Sequence, residues 1–148
     1  ARNGKADARA IGHWLADPYF KRRPPKSLDR NAFSLDPIRG LSPPDGASTL
    51  AAFTAEAVRQ GTTHFPSAAR RWLVTGGGRR NPVIMAALGS ALSMPIESVE
   101  AVGWNGDALE AQAFAFLAVR SRRGLPLSLP STTGVQRATC GGVLHRPA

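Results

Sequence analysis

Three consecutive glycines, Gly76, Gly77 and Gly78, stand between the apolar run "RWLVT" and the helical stretch "NPVIMAAL". Bare backbone at that point has two readings. One is a tight turn that lets a helix pack close to a strand. The other is an anion site, because amides without Cβ atoms can approach a ligand and a helix N-terminus favours negative charge. The pattern is neither G-x-x-x-x-G-K-[ST] nor G-x-G-x-x-G, so neither standard phosphate fingerprint applies. Glu110 is the second group with chemical potential. It is the only charge in the stretch "ALEAQAFAFLAV", and a carboxylate among apolar residues needs partners. With Asp107 three positions earlier at a helix start, it fits a capping box, where the helix dipole also favours it. It fits a cleft group that hydrogen-bonds hydroxyls equally well. Trp104 and Asn105, on the loop before, either shape that cleft or cap the helix.

Other chemistries have less to stand on. A single cysteine, Cys140, excludes an internal disulfide framework and suits a reducing cytoplasm. One Cys and three scattered histidines (His13, His64, His145) give no metal constellation. Ser, His and Asp all occur, yet no G-x-S-x-G elbow is present. The net charge of +9 raises nucleic acid as a partner. Its distribution argues against one: the arginine pairs Arg22/Arg23, Arg70/Arg71, Arg79/Arg80 and Arg122/Arg123 are dispersed, with no aromatic interleaving to stack bases. They read as solvated faces, together with an anionic small-molecule ligand.

The elements that must position these residues follow from periodicity and punctuation. The chain of 148 residues fits one domain with a real core. "DARAIGHWLADPYF" predicts a helix over Ala8–Ala16, with Ile11, Trp14 and Leu15 on one face and Asp17-Pro18 ending it. Residues 21–46 are rich in Pro and turn formers and read as a connector, so that 1–47 is helix plus irregular segment. A helix is expected from near Ser48, with Gly61 as its stop. "RWLVT" reads as a buried strand. Asn81-Pro82 then starts a helix, with an Asn cap and Pro at the first helical position. "SVEAVG", residues 98–103, reads as a second strand. "DALEAQAFAFLAVRS" is nearly all apolar and is expected as a buried helix. The Gly/Pro/Thr-rich tail has little periodicity. The strand–helix–strand–helix order over 72–121 argues for an α/β protein with a parallel sheet covered by helices. No apolar run reaches the roughly 18–20 residues of a membrane span. The start "ARNGKADARA" has neither an initiator Met nor an apolar signal core, which predicts a piece of a longer, non-secreted chain.

Four stretches carry a family resemblance: "PPKSLDR", "LVTGGGRRNPVIMAAL", "GDALEAQAFAFLAVR" and "GLPLSLPSTTGV". In this order and spacing the chain resembles the C-terminal part of anhydro-N-acetylmuramic acid kinase, over essentially its whole length. The resemblance implies the C-terminal lobe of an actin/hexokinase/Hsp70-like ATPase fold, related to ribonuclease H. It implies ATP with Mg2+ as cofactors, and phosphorylation of 1,6-anhydro-N-acetylmuramic acid with ring opening to N-acetylmuramic acid 6-phosphate. That reaction serves peptidoglycan recycling in the bacterial cytoplasm. Residue by residue, Gly76, Gly77 and Gly78 match the family's nucleotide-packing glycines, and Asn81 follows at the helix start. Glu110 matches a glutamate expected to contact the sugar, which tips its reading toward function. Lys26, Ser27 and Arg30 match part of a "PPKSTGRE" stretch, from which this chain departs with "LDRN" in place of "TGRE". "PSTTGV", with Thr132, Thr133 and Gly134, is expected to close the lobe. The family's Gly-Thr-Ser loop and catalytic aspartate belong to an amino-terminal half. They do not occur here, so no catalytic base is expected among these residues and the chain alone is expected to be inactive. A homodimer of the full-length protein is implied, with no nucleic-acid or membrane partner.

Overall fold

Asp7 opens the first helix: its side chain accepts the Ala10 amide at 2.8 Å, satisfying one of the orphan donors of α1, Ala8–Leu15. The computed structural model describes residues 1–145, with the Arg30 side chain left aside. Asp17-Pro18 ends α1 as expected, and Pro18–Lys21 continues as a 3-10 turn. Further 3-10 turns, Arg30–Ala32 and Asp36–Ile38, carry the connector forward.

The second helix, α2, spans Pro43–Gly61, five residues longer at its start than the sequence reading. Ser42 caps it by accepting the Asp45 amide, and Pro43 and Pro44 occupy the first turn, where a missing N–H costs nothing. The proline pair that looked like a linker is therefore a helix start. Gly61 is not a left-handed stop. It is helical at φ −60, and the chain passes from it into the 3-10 turn Thr62–His64.

The core of this half is aromatic. Trp14 is buried and sits 4.9 Å from the Phe53 ring, which meets Phe33 at 5.3 Å and Phe20 at 6.1 Å. Thr49, fully buried, ties the two helices together: its hydroxyl accepts the Asp7 amide at 2.9 Å and donates to the Asp45 carbonyl at 2.7 Å.

Strand β1, Trp72–Val74, leads through the glycines to α3, Pro82–Leu92, which packs along α2. Strand β2, Ile96–Ser98, returns parallel to β1 with Trp72 opposite Ile96 and Val74 opposite Ser98. The parallel βαβ unit is as expected, and the chain is an α/β protein. Its details differ from the sequence reading. Strand β1, expected to be buried, is half-buried, as is β2. The second strand lies earlier than 98–103, because the three-residue β1 runs out of partners at Val74. Residues Val99–Val102 instead turn as a 3-10 helix that ends on Gly103 at φ +77.

Helix α4 spans Leu109–Arg122, close to expectation, but it is not buried: Phe114 is 65% exposed, Phe116 62% and Val119 49%. The apolar composition states what this helix needs covered. Leu127 and residues 142–144 of the tail border a hollow along Phe114, Leu117 and Ala118 without burying Phe114. The tail forms one helical turn, α5, Pro130–Thr133, and an antiparallel bridge between Ser128 and Thr139. Thr132 bonds the Leu129 amide at 3.1 Å, and Thr133 pairs its hydroxyl with that of Ser128, so "PSTTGV" is held by local bonds. Among the described residues no helix is long and apolar enough to cross a membrane.

Candidate functional site

The two loops that leave the carboxyl ends of β1 and β2 meet. Thr75 follows β1 and donates from its hydroxyl to the Gly106 carbonyl at 3.3 Å. Gly76 turns the chain at φ +70, a region that a side chain enters only with strain. Gly77–Arg80 then makes one 3-10 turn, and the Asn81 side chain accepts the Val83 and Ile84 amides at 3.0 and 3.3 Å to start α3. The cap read from sequence is present, and it occupies the Asn81 carbonyl oxygen.

From β2 the chain passes the turn Val99–Val102 and reaches an exposed Trp104. Asn105 caps the next bend by accepting the Asp107 and Ala108 amides at 3.0 and 3.2 Å. The capping box suggested for Asp107 and Glu110 does not form. Ala108 is the residue at the helix N-cap, and no side chain bonds there. Asp107 instead pairs with Arg79 at 3.0 Å and with Arg80.

Between the loops lies a cleft of about 500 Å3, lined by Thr75, Gly76, Gly77, Gly106, Asp107, Leu109, Glu110 and Ala113. The structure thus brings Gly76, Gly77 and Glu110 to one hollow. Gly78 and Asn81 stand beside it on the same turn. Glu110, in the first turn of α4, is exposed and has no hydrogen-bond or ion-pair partner among the described residues.

The two readings of the glycines separate here. A Cβ built on Gly77 or Gly78 would meet nothing within 4 Å, so packing inside the chain does not require either to be glycine. Gly76 differs, since its backbone alone demands one. Among the described residues, the Gly77 and Gly78 amides also have no acceptor outside their own turn. Open space and two amides with nothing to bond describe a place where another molecule's oxygens can approach.

Lys26 and Ser27 do not line this cleft. The Lys26 ammonium donates to the Tyr19 and Phe20 carbonyls at 2.9 and 3.0 Å and lies 4.6 Å over the Tyr19 ring. Ser27 is exposed on the same loop, and Arg30 begins the 3-10 turn that Asp29 caps. Larger hollows occur beside His13 and along α4, but neither touches the glycines or Glu110.

Sequence reading missed what holds the two loops together. Arg79 was grouped with solvated arginines, yet its side chain is only 5% exposed. It donates to Glu100 Oε1 at 2.9 Å, to the Gly76 carbonyl at 2.9 Å and to Asp107 Oδ1 at 3.0 Å. Glu100 also accepts the Gly106 amide at 3.2 Å. The Asp107 and Glu100 carboxylates raise the Arg79 guanidinium above its already high range. Glu100 is held down to about 2, first by its own backbone amide, then by Ser98, Arg79 and the Gly106 amide, against a desolvation cost.

The sign of that shift fixes a pH dependence. A depressed carboxyl contributes stability above its unfolded value, near 4.5, and loses it as pH falls toward about 2. The unfolding midpoint in urea of the natural chain should therefore exceed that of Glu100→Gln by a constant amount above pH 5. The gap should close between about pH 4.5 and 2. A gap independent of pH over that window would refute the assignment.

Fold and cleft together define an α/β protein that presents open glycine amides and a carboxylate at the carboxyl ends of parallel strands, where ligands of such folds bind. The model of the family "Anhydro-N-acetylmuramic acid kinase" matches residues 1–147. Proteins of that name from Rhodospirillum rubrum and Paramagnetospirillum magneticum are 57% and 54% identical to this chain, covering 96% and 99% of it. One from Rhizorhabdus wittichii is 50% identical over 99% of the chain. The chain belongs to the anhydro-N-acetylmuramic acid kinase family. It spans about two fifths of the length of these relatives, 38% to 42%.

Proposed function

We propose that this chain is the nucleotide- and sugar-binding C-terminal lobe of a two-lobed, actin-like sugar kinase. The reaction is phosphorylation and ring opening of 1,6-anhydro-N-acetylmuramic acid to N-acetylmuramic acid 6-phosphate, within cytoplasmic peptidoglycan recycling. ATP supplies the phosphoryl group. The observation that carries the reading is the shared hollow of Gly76, Gly77 and Glu110, with open space above Gly77 and Gly78.

In this reading the Gly77 and Gly78 amides donate to nucleotide oxygens, while the start of α3 lends its dipole. Glu110 accepts from sugar hydroxyls and fixes the ring's orientation, a contribution of positioning rather than bond making. Asp107 lines the same hollow but is paired to arginines, which lessens its repulsion of phosphate. No group of three His, Cys, Asp or Glu that could hold a metal ion occurs among the described residues; Mg2+ would arrive with the nucleotide phosphates. The base that activates water is assigned to residues other than these 148, and the full-length protein is read as a homodimer.

The test uses a protein of the relatives' length and follows ADP release with the anhydro sugar. Loss of two hydrogen bonds to a charged acceptor, at about 1.5 kcal/mol each, predicts a roughly 100-fold fall in kcat/KM for Glu110→Gln. Nucleotide affinity should stay unchanged. Unaltered kcat/KM would remove Glu110 from the site, and normal turnover by the 148 residues alone would overturn the two-lobe reading.

A further inference from the structure

We propose that Arg79 is the positioning residue of this cleft, the side chain that ties the glycine turn, the turn after β2 and the loop before α4 into a common geometry. The inference rests on the cleft being the ligand site and adds a residue to it that touches no ligand. Arg79 does not line the hollow; it lies behind it. Its three contacts fall on three separate pieces of chain: the Gly76 carbonyl on the turn after β1, Glu100 after β2, and Asp107 at the approach to α4.

Gly106 shows how closely these pieces fit. A Cβ there would stand 2.4 Å from Arg79 Nε, 2.7 Å from its Cζ and 2.9 Å from Glu100 Oε1. The guanidinium is thus laid against bare backbone, and the peptide it supports carries the carbonyl that Thr75 bonds. Both cleft walls refer to this one group. A planar fork with five donors can serve three acceptors in different directions, whereas an ammonium is a single point charge. Among the described residues the neighbouring Arg80, 67% exposed, reaches Asp107 alone and cannot substitute.

The clamp also sets the charge of the site. Glu100 is paired with Arg79, and Asp107 with Arg79 and Arg80, so an incoming phosphate meets amides rather than unpaired carboxylates. Removing Arg79 frees both walls, leaves Glu100 without its arginine and leaves Asp107 with Arg80 alone.

The experiment follows glycine amides of the chain by nuclear magnetic resonance. Arg79→Ala should speed hydrogen exchange at the Gly106 amide about tenfold and move the Gly76 and Gly77 resonances. The Asp7 amide, held by Thr49 in the aromatic half, should be unaffected. Guanidinium ion at sub-denaturing concentration should restore the resonances, while sodium chloride at equal ionic strength should not; Arg79→Lys should behave like Arg79→Ala. If Arg79→Ala unfolds, Arg79→Gln carries the same comparison. Unchanged Gly106 exchange, or equal restoration by sodium chloride, would overturn the proposal. ADP titration of the same proteins keeps the two readings apart. A natural chain that ignores ADP sinks the nucleotide site, and the exchange data still decide the clamp. A natural chain that binds ADP should lose roughly tenfold in affinity on Arg79→Ala, about one charge-assisted hydrogen bond.

Discussion

Gly77→Val is expected to fold as the natural chain does and to lose nucleotide binding. A side chain at this position has room, since a Cβ meets nothing within 4 Å, and Gly77 is not among the glycines at positive φ. Far-ultraviolet circular dichroism and the urea midpoint should therefore stay within about 0.5 kcal/mol of the original, as for an unstrained surface change. The isopropyl group would fill the open space beside Gly77, through which a ligand would reach the amides of this turn. Two hydrogen bonds to charged phosphate oxygens are then lost, at about 1.5 kcal/mol each, or roughly 100-fold in Kd. The measurement is nucleotide titration by calorimetry in a protein of the relatives' length. Retained affinity in a folded Gly77→Val protein would return these glycines to the plain turn reading.

What could be read from the sequence was local. The Asn81-Pro82 start of α3 needs only neighbouring residues, and so does the Asp17-Pro18 stop of α1; both stand where expected. The parallel strand–helix–strand unit was legible because its elements alternate in period. The meeting of Gly76, Gly77 and Glu110 followed from the rule for strand ends, helped by the family resemblance. The clamp behind them was not legible, because Arg79 meets Glu100 across 21 residues and Arg80 meets Asp107 across 27. No periodicity marks such pairs, and an arginine doublet after three glycines looks like surface. Val99–Val102 was misread as strand for a related reason: its β-branched residues favour a sheet, but the three-residue β1 has no partner left to offer. Ser42-Pro43-Pro44 hid a helix start behind residues that also make linkers. Burial of α4 was inferred from composition alone, and composition records demand for cover rather than its supply.

Trp14→Ala should destabilise this chain more than any substitution at the cleft. Trp14 is 4% exposed, packs its ring 4.9 Å from that of Phe53 at a 45° tilt, and donates from Nε1 to the Ser34 carbonyl at 2.8 Å. It therefore joins α1, the connector and α2 in one contact. Truncation of a buried Trp to Ala costs about 3–5 kcal/mol, to be set against a total of about 5–15 kcal/mol for a domain. Trp14→Phe keeps a ring in the cluster and loses the hydrogen bond, so it should cost only about 1–2 kcal/mol. Urea unfolding at a common temperature checks both numbers and their order. The aromatic cluster contributes no residue to the cleft. Folded Trp14→Phe protein should thus bind ADP as the natural chain does, while its midpoint falls. A weakened affinity without a lowered midpoint would mean that the aromatic half shapes the glycine corner directly, through the packing of α2 on α3.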